Sequence, residues 1–124
     1  MKLHWLAGLV LVAIPAAAAA MPVSTFLAKA EALKKKGPLA LLSGDLKLLT
    51  RQVTADAAAL GAENKAAAAA QRPKAYCTPA EGAKMGQKEV MEAMQSVPAP
   101  ERARTDTKAA LRNYLARHYP CPAA

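Results

Sequence analysis

Cys77 and Cys121 are the only cysteines of this 124-residue chain, and the chemistry open to them depends on the compartment they reach. A pair of thiols can close one disulfide, supply two ligands to a metal, or keep a reactive thiolate. A structural zinc site needs about four nitrogen or sulfur ligands. No Cys-x-x-Cys occurs, and past residue 20 the chain holds a single histidine, His118, so such a site would be short of ligands. The disulfide is the expectation, because an even count of two permits one intramolecular pairing and the N-terminus has the features of an exported chain. The remaining candidates for chemistry are weaker. Nucleophilic catalysis needs a base within hydrogen-bond reach and a third group to orient it. His118 has Tyr114 and Leu115 as its nearest companions on a predicted helix, a setting for a surface or half-buried imidazole. Glu89 and Glu92 lie three apart and can share a helix face, where carboxylates on a basic protein usually just solvate. Met85, Met91 and Met94 offer either an adaptable binding surface or flexible gap-filling in a core, the second being favoured where larger residues are scarce. No phosphate-cradling glycine loop, haem-attachment motif or calcium loop is present in the sequence. These residues read as a non-enzyme, with no cofactor and no metal.

The export signal is tripartite. Met1-Lys2-Leu3-His4 makes a basic start, Trp5 to Ile14 an apolar run, Pro15 a break, and Ala16 to Ala20 a small-residue stretch. Cleavage is expected after Ala20, leaving Met21 as the first residue of the mature chain. The strongly apolar part is about ten residues, short of the roughly twenty that a spanning helix needs. The expected organisation is a signal peptide over residues 1–20 and one helical domain over 21–124, delivered to the periplasm.

That domain has a thin supply of core material. Alanine is its commonest residue, isoleucine is absent from it, and its aromatics are Phe26, Tyr76, Tyr114 and Tyr119. A methyl side chain buries little area, so the core gains less than the apolar fraction suggests. Small domains with thin cores commonly carry a covalent staple. A Cys77–Cys121 bridge would contribute up to about 4 kcal/mol by restricting the unfolded chain. The formal net charge is +8, or +7 once Lys2 leaves with the signal. Such a surface attracts anionic lipid or acidic proteins. Nucleic acid is a poor partner, since export removes it and no stacking aromatics interleave with the charges.

The positioning elements read as helices throughout. Ser24 or Thr25 is expected to cap a helix reaching Lys36, with Phe26, Leu27, Ala30 and Leu33 on one face and Gly37-Pro38 ending it. Lys34, Lys35 and Lys36 fall in its last turn, where cations favourably face the dipole and otherwise make a solvated surface. Pro38 opens a short apolar piece, Leu39 to Leu42. Asp45 is expected to cap a long helix whose stripe is Leu46, Leu49, Val53, Ala57 and Leu60, carried through Ala66 to Ala70 and stopped by Arg72-Pro73. Residues 73–79 read as extended or irregular, and Glu81-Gly82-Ala83 as a turn. A helix follows from Met85 or Gly86 to Ser96, with Val90, Met91, Met94 and Val97 inward. After Pro98 and Pro100, Thr105 or Thr107 is expected to cap a last helix to about His118, with Leu111, Tyr114 and Leu115 inward and Pro120 ending it. The fold class is all-α: about four to five helices and one disulfide.

The stretch Cys77-Thr78-Pro79, the glycine turn at Gly82, the Gly86-Gln87 helix opening, the Ala110-Leu111 helix and the ending Tyr119-Pro120-Cys121 together resemble the C-terminal signature of the Rap/Tai family of periplasmic immunity proteins. The likeness covers residues 77–121. It implies a small helical protein, often a homodimer, that binds and blocks peptidoglycan amidases injected by neighbouring bacteria through type VI secretion. That family commonly carries further cysteines and a glycine-rich helical segment upstream, whereas Glu63 to Ala75 is alanine-rich and cysteine-free here. A second role fits the charge alone: a cationic accessory module of the envelope, binding the anionic membrane surface or wall polymer.

Overall fold

Four α-helices follow one another through residues 20–123, the part of the chain that the computed structural model describes: α1 (Val23–Lys36), α2 (Gly44–Ala69), α3 (Gln87–Gln95) and α4 (Thr107–His118). Short 3-10 turns at Gly37–Leu42 and Ala99–Glu101 join α1 to α2 and lead toward α4. Of the expected leader, residues 1–20, all but Ala20 lie outside the described residues. Within them no β-strand forms, and only an isolated bridge pairs Pro22 with Asp106. The expected small all-α architecture is present, with Cys77 and Cys121 joined.

α1 begins without the expected Ser24 or Thr25 cap; its N-cap is Pro22, which makes no side-chain bond. The exposed amide donors of a helix start must go somewhere, and here they go to another segment. The Val23 amide donates to the Thr105 carbonyl at 2.8 Å and that of Ser24 to the Arg102 carbonyl at 3.0 Å, while the Thr107 amide returns a bond to the Met21 carbonyl at 2.9 Å. The start of α1 is thereby stitched to the start of α4. Phe26 and Leu33 are buried on its inner face, with Leu27 and Ala30 half-covered beside them. Gly37 ends the helix at φ 57°, a left-handed conformation that favours glycine.

In α2 the cap is Ser43, whose hydroxyl accepts from the Asp45 amide at 3.3 Å. Asp45 does not cap; it lies in the first turn of α2 and takes Lys29 of α1 at 3.2 Å. The buried line runs through Leu49, Gln52, Asp56, Leu60 and Ala67. Ala57, expected on that line, is exposed. α2 also ends at Ala69, earlier than Arg72. Gln71 turns left-handed at φ 55°, and the Arg72 amide closes back onto the Ala67 carbonyl at 2.8 Å.

Between α2 and α3 the chain is irregular, as the prolines require, and one side chain holds it. Asn64 accepts from the Ala75 amide at 3.1 Å and donates to the Tyr76 carbonyl at 2.8 Å, and Tyr76 is buried beside it. The turn that follows spans Pro79 to Gly82 and so lies earlier than the expected 81–83. Its amide donor is Gly82, 2.9 Å from the Pro79 carbonyl and at φ 89°.

α3 starts at Gln87 with Gly86 as N-cap, and the Gly86 amide donates to the Glu89 carboxylate at 2.9 Å. Val90, Ala93 and Met94 are buried, while Met85 and Met91 pack half-covered against the core. The methionines are therefore gap-fillers. α4 is capped by Asp106, whose carboxylate accepts from the Ala109 amide at 2.7 Å, and not by Thr105 or Thr107. The Thr105 hydroxyl instead donates to the Glu101 carbonyl at 2.9 Å, and Thr107 is fully buried. Ala110, Leu111, Tyr114 and Leu115 line the buried face of α4, which packs between α2 and α3 with α1 against all three.

Candidate functional site

The residues singled out in the sequence assemble into one closed unit. The sulfurs of Cys77 and Cys121 are bonded, with Cα atoms 4.8 Å apart, and the Cys77 amide donates to the Tyr119 carbonyl at 2.8 Å. Tyr119 also receives the Lys84 amide on its phenolic oxygen at 3.0 Å. Pro79 and Gly82 are the two ends of the turn, Gly86 is the cap of α3, and Gln87 is its first residue. Leu111 is 1% exposed in the core, and Pro120 lies just past α4. Each has a structural task. At Gly86 a side-chain Cβ would meet the Glu89 carboxylate at 3.0 Å, so the close approach of the capping carboxylate favours glycine there.

The weaker chemical candidates are accounted for in the same way. The His118 ring stacks on Tyr114, with centroids 4.0 Å apart and planes 26° from parallel. Glu89 is spent on the start of α3, and its own backbone amide, then that of Gly86, holds its carboxyl below the usual glutamate range. Glu92 is exposed. Burial, and next the nearby Glu92 and Glu89, push the Tyr114 phenol up. Among the described residues no group of histidine, cysteine and acidic side chains gathers in a way that would hold a metal.

A different surface stands out, and sequence reasoning had passed over it. In the 3-10 turn after α1, Leu39 is 67% exposed, Leu41 75% and Leu42 84%, and Leu48, six residues on in α2, is 41% exposed. Gly37–Leu42 has four consecutive apolar residues in a helix of about three residues per turn, so one face cannot hold them all. Ala40 takes the inward position, and the leucines project. Their surroundings are basic. From Lys29 to Arg51 the chain has six lysine or arginine residues against Glu31 and Asp45, a net +4, and Asp45 is already bonded to Lys29. Lys34, Lys35 and Lys36 form the last turn of α1, and the Lys36 ammonium reaches the Ser43 hydroxyl at 3.2 Å. Through Leu48 and Arg51 this corner borders a shallow groove of about 560 Å3 between α1 and α2, which Met21, Pro22, Thr25 and Lys29 also line.

Farther along α2, Glu63 accepts from Lys108 and Arg112 of α4, a surface cluster whose Arg112 contact is 3.4 Å. The Lys108 hydrogen bond first, then the charges of Lys108 and Arg112, hold the Glu63 carboxyl below its ordinary value of 4.5, against a smaller opposing effect of burial. A depressed carboxyl contributes stability that is present above its unfolded value and is lost as pH falls through the folded one. Unfolding curves recorded downward from pH 5 should therefore lose a small, salt-sensitive increment in the wild type. Glu63→Gln should lack that increment, and identical pH slopes in the two proteins would refute the assignment. The increment is small because the side chains are half-exposed.

No family model, curated protein or solved structure matches this chain. Among the described residues, the cysteines, the turn at Pro79–Gly82, the α3 cap and the end of α4 belong to one disulfide-closed unit.

Proposed function

We propose that the chain is a non-enzymatic, exported binding protein of the immunity type, which blocks a peptidoglycan-cleaving effector in the periplasm. The observation that carries this reading is the disulfide-closed unit 77–121, in which Cys77, Pro79, Gly82, Gly86, Gln87, Leu111, Pro120 and Cys121 all take part. A scaffold ordered before binding loses little conformational entropy when it docks, so more of its contact energy appears as affinity. The disulfide supports an oxidising compartment, which the expected leader would reach. The family resemblance supplies the class of target, a peptidoglycan amidase.

The test is direct. Tagged protein is incubated with envelope extract and with the secretions of competing bacteria, and what it retains is assayed for amidase activity on purified peptidoglycan. The expected result is a stoichiometric amidase complex in which added protein suppresses hydrolysis, with the inhibition saturating near one equivalent. Repeated recovery of the protein without an amidase, or a complex whose activity is unchanged, would overturn the reading.

A further inference from the structure

We infer that the leucine corner formed by Leu39, Leu41, Leu42 and Leu48 docks on a bilayer rich in anionic phospholipid, tethering the protein peripherally at the membrane surface. This goes beyond the inhibitor reading and does not rest on it.

Three facts about the corner converge. Leu39, Leu41 and Leu42 project from a tight 3-10 turn, with Leu42 the most exposed of them at 84%, and Leu48 of α2 is 41% exposed. The last turn of α1, directly before that turn, is three successive lysines, and Lys47 and Arg51 follow at the start of α2. The net +4 of residues 29–51 is half of the +8 carried by the whole chain. Exposed apolar side chains flanked along the chain by cations suit an interface where acyl chains lie just below phosphate groups. Side chains such as leucine enter the boundary layer while lysines remain at headgroup level. No helix among the described residues is long and apolar enough to cross a membrane, so the contact is peripheral.

The same charge decides against a second copy as occupant. A two-fold contact places a patch against itself. Leucine contact between two copies would bring the adjoining lysine triplets near each other, and like charges across an interface cost affinity. An anionic leaflet has no such conflict.

The experiment uses protein purified from an exporting host, in the form in which that host leaves it. It is sedimented with vesicles of phosphatidylglycerol and phosphatidylcholine, or of phosphatidylcholine alone. Wild type should partition to the anionic vesicles and lose most of that binding between ~0.05 and ~0.5 M salt, as screening shortens the reach of the lysines. Leu41→Asp with Leu42→Asp should lower partitioning by at least about tenfold, since two apolar contacts are replaced by two like-charged repulsions. Neutralising Lys34, Lys35 and Lys36 to Gln should lower it on the order of a hundredfold, at roughly fivefold per lysine. The charge-matched control neutralises Lys65, Arg72 and Lys74 to Gln. Lys65 sits eighteen residues beyond Lys47 along α2, roughly 27 Å away at the helical rise, so this variant should bind nearly as wild type does. In Leu42→Trp, indole fluorescence should shift to the blue on adding anionic vesicles.

Failure of wild type to bind anionic vesicles at low salt would overturn the inference. So would equal losses in the corner and control variants, or wild-type binding by the leucine double variant. A double variant that changes only the oligomeric state would assign the corner to a second copy, and one that abolishes only amidase capture would assign it to the protein partner. Either result also overturns membrane docking.

Discussion

Reduction of the Cys77–Cys121 bridge is expected to remove up to about 4 kcal/mol of stability, by releasing a cross-link between residues 44 apart in sequence. A domain of this size has roughly 5–15 kcal/mol in total, so the loss leaves it marginal. The part most exposed to that loss is the irregular stretch between α2 and α3. Its buried side chain is Tyr76, with Ala83 and Met85 half-covered, and its remaining ties are the two Asn64 bonds and the two hydrogen bonds to Tyr119. With few apolar contacts to replace it, the bridge does much of the work of holding Cys77 against the end of α4.

Two measurements separate local from global effects. In thermal melts, Cys77→Ala with Cys121→Ala, and wild type treated with a phosphine reductant, should each melt on the order of 10–20 °C below the oxidised protein. The urea m-value should rise as well, because the unfolded chain without its cross-link exposes more surface. Hydrogen exchange then locates the change: the amides of Cys77 and Lys84, which both bond to Tyr119, should lose protection first. An oxidised and a reduced protein with coincident melts would show that the bridge is incidental. In that case the rigid scaffold assumed for partner binding would have no basis.

Where the sequence was informative, the signal was periodicity. The apolar spacing of Phe26 and Leu33, of Val90 and Met94, and of Leu111, Tyr114 and Leu115 identified the inward faces of α1, α3 and α4, and all of these residues are buried. Helix starts were less legible, because a capping side chain is chosen by three-dimensional surroundings. Ser24 and Thr25 were not needed once the carbonyls of Arg102 and Thr105 took the first amides of α1. Thr107 was lost to capping because its hydroxyl points to α2. Asp106, overlooked between two threonines, did the capping instead. The leucine corner was legible as an apolar run but not as a surface. Its exposure depends on the 3-10 geometry and on Ala40 alone facing the core, and neither follows from composition.

The misplaced stripe of α2 leads to the second large effect. Periodicity favoured Ala57 because it is apolar, yet the buried neighbour is Asp56, 6% exposed, with Gln52 one turn before it at 8%. Burying a carboxylate is costly unless its oxygens are bonded. Both are: one accepts from the Gln52 amide at 3.0 Å, the other from the Thr107 hydroxyl at 2.5 Å. Thr107 is the first residue of α4, so the carboxylate also faces the positive end of that helix dipole. The partner needed to make Asp56 tolerable lies 51 residues away, which is why no local pattern could reveal it. The arrangement pins the middle of α2 to the start of α4, the same point at which Met21 and Val23 attach the start of α1. Asp56→Ala should therefore cost about 2–4 kcal/mol in urea unfolding, since it strands a buried hydroxyl and a buried amide together. Asp56→Asn should cost less, because a rotated Thr107 hydroxyl can accept from the new amide. Thr107→Val should cost about 1–3 kcal/mol by leaving one carboxylate oxygen unpaired. The double variant Asp56→Ala with Thr107→Val should be less destabilised than the sum of the two, by about 0.5–3 kcal/mol of coupling. Strict additivity would show that the two side chains are near each other without acting together. The line Leu49, Gln52, Asp56, Leu60 would then owe its register to the leucines alone.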